Sequence, residues 1–155
     1  IDVLASPLDP RSVSKISSKF IDILLTRLEL KYDIIIIDTN HIMDEVSSRT
    51  IDNSDYILYV ITDGLMDLKN MKSLIAIYDD LEINNYKIIL NETYTRSYTD
   101  LELKNILGAN IDYILPYSYY DDNFPKIIED GKILSIVKPR NKGVCVIDKI
   151  IEDIK

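Results

Sequence analysis

Tyr32-Asp33-Ile34-Ile35-Ile36-Ile37-Asp38-Thr39 is the stretch on which the fold turns. Four consecutive isoleucines end in an aspartate. A strand apolar on both faces needs cover on both sides, which is the habit of parallel strands in α/β proteins. In such sheets ligands bind beyond the carboxyl ends of the strands, where Asp38 would stand. A carboxylate at that point suits the water shell of a nucleotide-bound Mg²⁺.

The segments around this run alternate in kind. Upstream, Asp9-Pro10 is a helix-start signal. Ile16, Phe20, Ile23, Leu24 and Leu28 then recur at helical spacing within a helix expected over Val13 to about Leu30. Downstream, a loop and a short helix around Val46 to Ile51 lead to a second apolar strand, Asp55 to Thr62. Leu65, Leu68, Met71, Leu74, Ile75, Tyr78 and Leu81 trace an amphipathic helix. Tyr86 to Asn91 reads as the next strand. Thr99 with Glu102 three residues later forms a capping-box pattern, and Gly108 is a stop signal for the helix between them. Ile111 to Pro116 is a further strand, and Phe124-Pro125 to Asp130 a short helix ended by Gly131. Val144, Ile147, Ile150, Ile151 and Ile154 mark the face of a last helix, with Cys145 expected as a small core residue.

This order predicts βαβ units, a mostly parallel sheet and helices on both faces. The 155 residues are enough for one domain with a real core, and residues 1–155 are read as a single α/β domain. Because the chain opens on Ile1-Asp2-Val3-Leu4, without methionine and in the manner of a strand already under way, it is expected to be part of a longer polypeptide.

Composition narrows the function classes. A net charge of −8 argues against a dedicated nucleic-acid surface, which needs clustered Lys and Arg. One cysteine cannot make an internal disulfide, which points to a reducing, cytoplasmic setting. No apolar stretch reaches the roughly 20 residues that span a bilayer. A single histidine, His41, rules out multi-histidine metal sites, and no Gly-x-Ser-x-Gly elbow is present. Arg49 reads as a solvated surface residue. Eleven tyrosines against two phenylalanines and no tryptophan fit a drift toward Ile, Tyr, Asn and Lys.

Polar residues close each expected strand: Asp38-Thr39, Thr62-Asp63, Asn91-Glu92 and Pro116-Tyr117-Ser118. Taken in this order, the four segments resemble the ParA/MinD superfamily of deviant-Walker P-loop ATPases. The opening Leu4-Ala5-Ser6-Pro7-Leu8-Asp9-Pro10, with its helix leading to Tyr32-Asp33, is nearest to the Flp/Tad-type pilus-localisation branch. The resemblance implies a P-loop NTPase-like fold, incomplete at its N-terminal side, with ATP and Mg²⁺ as cofactors. By position it makes Asp38 the Walker B aspartate of the Mg²⁺ shell and Thr39, Asn40 and His41 the switch segment. Asn91 becomes the ligand of the adenine edge, with Pro116, Tyr117 and Ser118 lining the base. An amide carries both a donor and an acceptor, which is what an adenine edge requires.

The resemblance further implies an ATP-dependent switch in pilus assembly. It implies a homodimer meeting pilus or secretion assembly proteins, and leaves recruitment to the inner membrane face or a cell pole open. A weak ATPase is expected only in a longer parent. A phosphate-cradling loop needs paired glycines five residues apart before a lysine. The four glycines, Gly64, Gly108, Gly131 and Gly143, offer no such pair, so this chain alone is expected to be inactive. Asn40 and His41 stand where the family continues with proline or glycine. That departure supports a second reading, a nucleotide-independent interaction module on the same fold. A phosphoacceptor receiver domain ranks below both, because Leu4-Ala5-Ser6 and Leu90-Asn91-Glu92 lack its acidic pair and lysine.

Overall fold

Three parallel strands and seven helices are assigned among the residues described by the computed structural model, which are 1–5, 9, 11, 16–39, 44–92, 98–117 and 123–154. The elements are α1 (Ser18–Glu29), α2 (Glu45–Asp52), β1 (Ile57–Ile61), α3 (Leu65–Asp80), β2 (Tyr86–Asn91), α4 (Asp100–Leu107), β3 (Tyr113–Leu115), α5 (Phe124–Glu129), α6 (Leu134–Val137) and α7 (Lys142–Ile154). They divide into two compact units, Ile1–Asp55 and Tyr56–Lys155.

The second unit holds the sheet. Its strands lie in the order β1-β2-β3, with Ile61 opposite Leu90 and Asn91 opposite Leu115. Side chains alternate between faces, as the two-residue period of a strand requires. Ile61, Ile88 and Leu90 pack with Leu68, Met71 and Ile75 of α3 and with Leu103 and Leu107 of α4. On the opposite face Ile89 and Tyr113 meet Ile150 of α7, flanked by Leu115 and Val146. The architecture is α/β, a parallel sheet with helices on both faces, as the alternation of segments implies.

Local chemistry sets the helix limits. The Thr99 hydroxyl accepts from Glu102 N at 3.3 Å while the Glu102 carboxylate accepts from Thr99 N at 2.8 Å, closing a capping box on α4. Gly108 ends that helix at φ +77°, a left-handed conformation costly to any residue with a Cβ. Asp67, in the first turn of α3, accepts from the Thr62 amide at 3.1 Å and from the Thr62 hydroxyl at 2.6 Å, which fixes the turn out of β1. At the other end of the sheet Asp112 takes the Ile88 amide and the Lys87 ammonium, both at 2.9 Å.

Tyrosines build part of the core. Tyr59, Tyr78 and Tyr86 pack with ring centroids 5.3 to 6.4 Å apart, and the Tyr59 and Tyr78 hydroxyls are hydrogen bonded to each other. Burial first, and that partner second, raise the Tyr59 phenol well above its ordinary range.

In the first unit Ser17 caps α1 by accepting from Phe20 N at 3.3 Å, so the helix starts at Ser18, later than the expected Val13. Asp44 caps α2 through Ser47 N at 2.7 Å. The Arg49 guanidinium grips Asp22 at 2.7 and 3.2 Å and joins α2 to α1; it is a paired group rather than a merely solvated one. That contact holds the Asp22 carboxyl below its usual range. Asp2 accepts from the Tyr32 hydroxyl and lies 3.5 Å from the Lys31 ammonium.

Four expectations are corrected. Ile34–Ile37 is not a strand: the run joins no ladder among the described residues, and Ile34, Ile36 and Ile37 are 67%, 90% and 42% exposed. Isoleucine favours extended backbone, but a strand exists only where a neighbour takes up its amides and carbonyls. Asp38 therefore does not end a sheet strand here. Phe20 and Ile23 of α1 are exposed, leaving Leu25 as that helix's buried residue. Cys145 is exposed, because α7 buries Val144 and Ile150 and one step of 100° turns position 145 away. The short helix α6 lies where none is expected.

Candidate functional site

Parallel strands bring their carboxyl ends to one rim, and in the second unit that rim carries Thr62, Asn91-Glu92 and Pro116-Tyr117. The register makes them neighbours. Thr62 follows Ile61, which pairs with Leu90, and Asn91 lies opposite Leu115. The Glu92 amide donates to the Leu115 carbonyl at 2.9 Å and carries the pairing one step past β2. Its carboxylate accepts from the Tyr117 amide at 3.2 Å. Three of the four expected polar strand ends thus lie on one edge.

The rim residues differ in how firmly they are held. Thr62 is fixed on both sides: its hydroxyl donates to Asp67 and accepts from Gly64 N at 3.2 Å. Asn91 and Pro116 are partly buried, while the Tyr117 ring is half exposed. This edge offers an amide, a proline face and an aromatic ring, the kinds of group that recognise a flat heterocycle by hydrogen bonding and stacking.

Asp38 and Thr39 belong to the first unit and are exposed. Asn40, His41 and Ser118 lie outside the described residues, as do Tyr119 and Tyr120. Among the described residues no group of three or more His, Cys, Asp or Glu could hold a metal ion. A lone aspartate acting through water, with phosphate oxygens completing the shell, is the way Mg²⁺ is commonly held beside a nucleotide. Two open depressions occur elsewhere. One of about 250 Å³ is lined in part by Lys126, Ile127, Lys132 and Val137 of the second unit. The other, about 410 Å³, is lined in part by Ser18, Asp22, Glu45 and Arg49 of the first. Neither includes a rim residue.

Asp67 and Glu92 organise this edge, and neither stands out in the sequence. Asp67 is one more acid in a first helical turn. Glu92 reads as a polar strand end. Only the register that puts Leu115 and Tyr117 beside Glu92 gives it a task.

No family model and no curated protein matches the chain. Solved structures do. A ParA family ATPase from Chlorobium tepidum TLS superposes with a TM-score of 0.79 and 24% identity, covering 92% of this chain and 60% of that one. The fold is that of the ParA/MinD ATPases. MinD from Aquifex aeolicus, in a cell division complex with MinC, matches with a TM-score of 0.62 and 17% identity over 84% of this chain and 54% of that one. MinD of the same organism in a second structure gives 0.60 and 17% over 84% and 55%. This chain therefore spans less than two thirds of each of these ATPases. The rim described above lies at the carboxyl ends of its parallel strands, the edge at which α/β sheets bind ligands. Among the described residues, no helix is long and apolar enough to cross a membrane.

Proposed function

We propose that the chain is the carboxyl-terminal part of a ParA/MinD-like ATP-dependent switch that localises components of a Flp/Tad-type pilus. The observation that carries this reading is the shared rim of Asn91 and Pro116-Tyr117 at the carboxyl ends of parallel strands. In this reading Asn91 hydrogen-bonds the adenine edge, and Pro116, Tyr117 and Ser118 line the base. Asp38 holds the Mg²⁺ shell through water, and Thr39, Asn40 and His41 form the switch beside it. The phosphate-binding loop comes from residues outside this sequence, whose four glycines cannot form one. The switch acts as a homodimer on pilus or secretion assembly proteins in the cytoplasm, at the membrane face or a pole. The pilus assignment is supported by the Leu4–Pro10 opening and by the helix that leads to Tyr32-Asp33.

The test is a titration of the full-length protein with Mg·ATP, followed by fluorescence of a labelled analogue. Saturable binding that weakens in Asp38→Ala and Asn91→Ala supports the reading. Absence of binding overturns it and favours the interaction module. That second reading draws on the exposed Ile34, Ile36 and Ile37 and on Asn40-His41, where the family has proline or glycine.

A further inference from the structure

Residues 131–147 are the longest stretch of the chain without an acid, although the sequence holds 26 Asp and Glu. The same stretch carries Lys132, Lys138, Arg140 and Lys142. Within it, α6 is anchored by Leu134, which packs with Ile127 of α5 and Val144 of α7. Its other side is bare: Ile136 is 73% exposed, and Ile133 and Val137 are exposed beside it. The Asn141 N–H donates to the Lys138 carbonyl at 3.0 Å and closes a turn, with Pro139 at the position such turns favour. The turn gathers Lys138, Arg140 and Lys142 within five residues at the start of α7, whose first turn holds no acid. Lys126, Lys132 and Lys138 also border the depression of about 250 Å³, whose apolar lining is Ile127 and Val137. Among the described residues that line it, Asp130 is the one carboxylate, and it is paired with Lys132 at 2.8 Å. Asp121 and Asp122 lie outside the described residues. Counting them, residues 121–142 still hold five cations against four acids, in a chain whose net charge is −8.

We propose that this face docks an acidic peptide segment of a partner protein, one that carries an aliphatic side chain between carboxylates. Charge complementarity selects the acid: like charges crowded on one turn repel, and carboxylates brought among them relieve the repulsion. The recess selects the aliphatic anchor. At about 250 Å³ it lies below the range of small-molecule pockets, about 300–1,000 Å³, and suits one anchoring side chain. Exposed Ile136 and Val137 beside the cations extend that apolar centre, as in interfaces with an apolar core and a polar rim. Nucleic acid fits this face less well. Proteins that grip single strands stack bases on aromatic rings, and the exposed apolar residues here are aliphatic. A bilayer also fits less well, because Ile127 and Val137 line a recess that a flat lipid surface does not fill. The inference is independent of nucleotide binding at the rim.

The experiment titrates the full-length protein, without nucleotide, into a fluorescein-labelled synthetic peptide and follows anisotropy. The peptide has a central leucine flanked on both sides by glutamates, and a matched peptide carries glutamines instead. The glutamate peptide should saturate, and the glutamine peptide should bind about tenfold more weakly. The triple change Lys138→Glu, Arg140→Glu, Lys142→Glu should weaken the glutamate peptide by about tenfold. Its control is Lys69→Glu, Lys72→Glu, Lys104→Glu on α3 and α4, exposed lysines whose reversal alters net charge equally. That control should stay within about twofold of wild type, because salt screens distant charges. Val137→Ser should weaken the glutamate peptide by about threefold, as should serine in place of the peptide's leucine. Far-UV circular dichroism checks that each variant keeps its helices. No binding up to about 1 mM, equal affinity for the two peptides, or equal effects of the two triple changes would overturn the proposal. Tighter binding of a single-stranded DNA oligonucleotide or of phosphatidylserine vesicles, lost with the Lys138–Lys142 reversals, would assign the face to those ligands and overturn it as well.

Discussion

The Tyr113 hydroxyl on β3 donates a 2.7 Å hydrogen bond to Oδ2 of Asp153, in the last turn of α7. One polar contact thus fastens the final helix to the last strand, beside the apolar contact of Ile150 with Tyr113. Tyr113→Phe keeps the ring and removes the bond. It should lower unfolding free energy by about 1 kcal/mol, measured by urea denaturation.

The same pair gives a pH signature. Its bond to Asp153, chiefly, pushes the Tyr113 phenol up to about 12. A group whose folded pKa is raised contributes stability that is complete below its unfolded value, near 10, and disappears as pH climbs through the folded value. The stability gap between wild type and Tyr113→Phe should therefore hold below pH 10 and close as pH approaches 12. A gap that stays constant across that window would contradict the assignment.

Gly108 sits at φ +77° with nothing within 4 Å of an added Cβ. The cost of Gly108→Ala is therefore backbone strain alone, about 1 kcal/mol. Gly108→Asn should cost less, because asparagine tolerates the left-handed region. Thermal denaturation of the two variants side by side makes the comparison.

Leu103 is fully buried between α4 and the sheet. Leu103→Ala should lose about 2–5 kcal/mol, the sum of lost transfer energy and the cavity left behind. The neighbouring Leu101 is exposed, and Leu101→Ala should be close to neutral, which makes it the matched control.

No ATP turnover is expected from the 155-residue chain itself, since its glycines cannot cradle phosphates. A phosphate-release assay with Mg·ATP tests this directly. Steady turnover by the isolated chain would refute the assignment of that loop to other residues.

Much of the second unit is legible in its sequence, because there the signals are local. The limits of β2 at Tyr86 and Asn91, and of α4 between Thr99 and Gly108, follow from residues within a few positions of each boundary. Ile34–Ile37 fails for the opposite reason. Its composition is that of a buried strand, but burial and pairing are supplied by other segments. The four residues of α6 are too few to show a period. At the rim, residue type points to Asn91 and Pro116, whereas the roles of Glu92 and Asp67 depend on which strand lies next to which.

In the second unit the strands stand side by side in the order in which they are made, β1, then β2, then β3. Each new strand needs only the one before it, so its pairing closes across a single intervening helix. A ribosome releasing this chain would deliver β1, α3 and β2 before β3 exists. Sheets whose central strand arrives last must hold their edges open and wait. In this unit every strand after the first is therefore made with its hydrogen-bonding neighbour already synthesised.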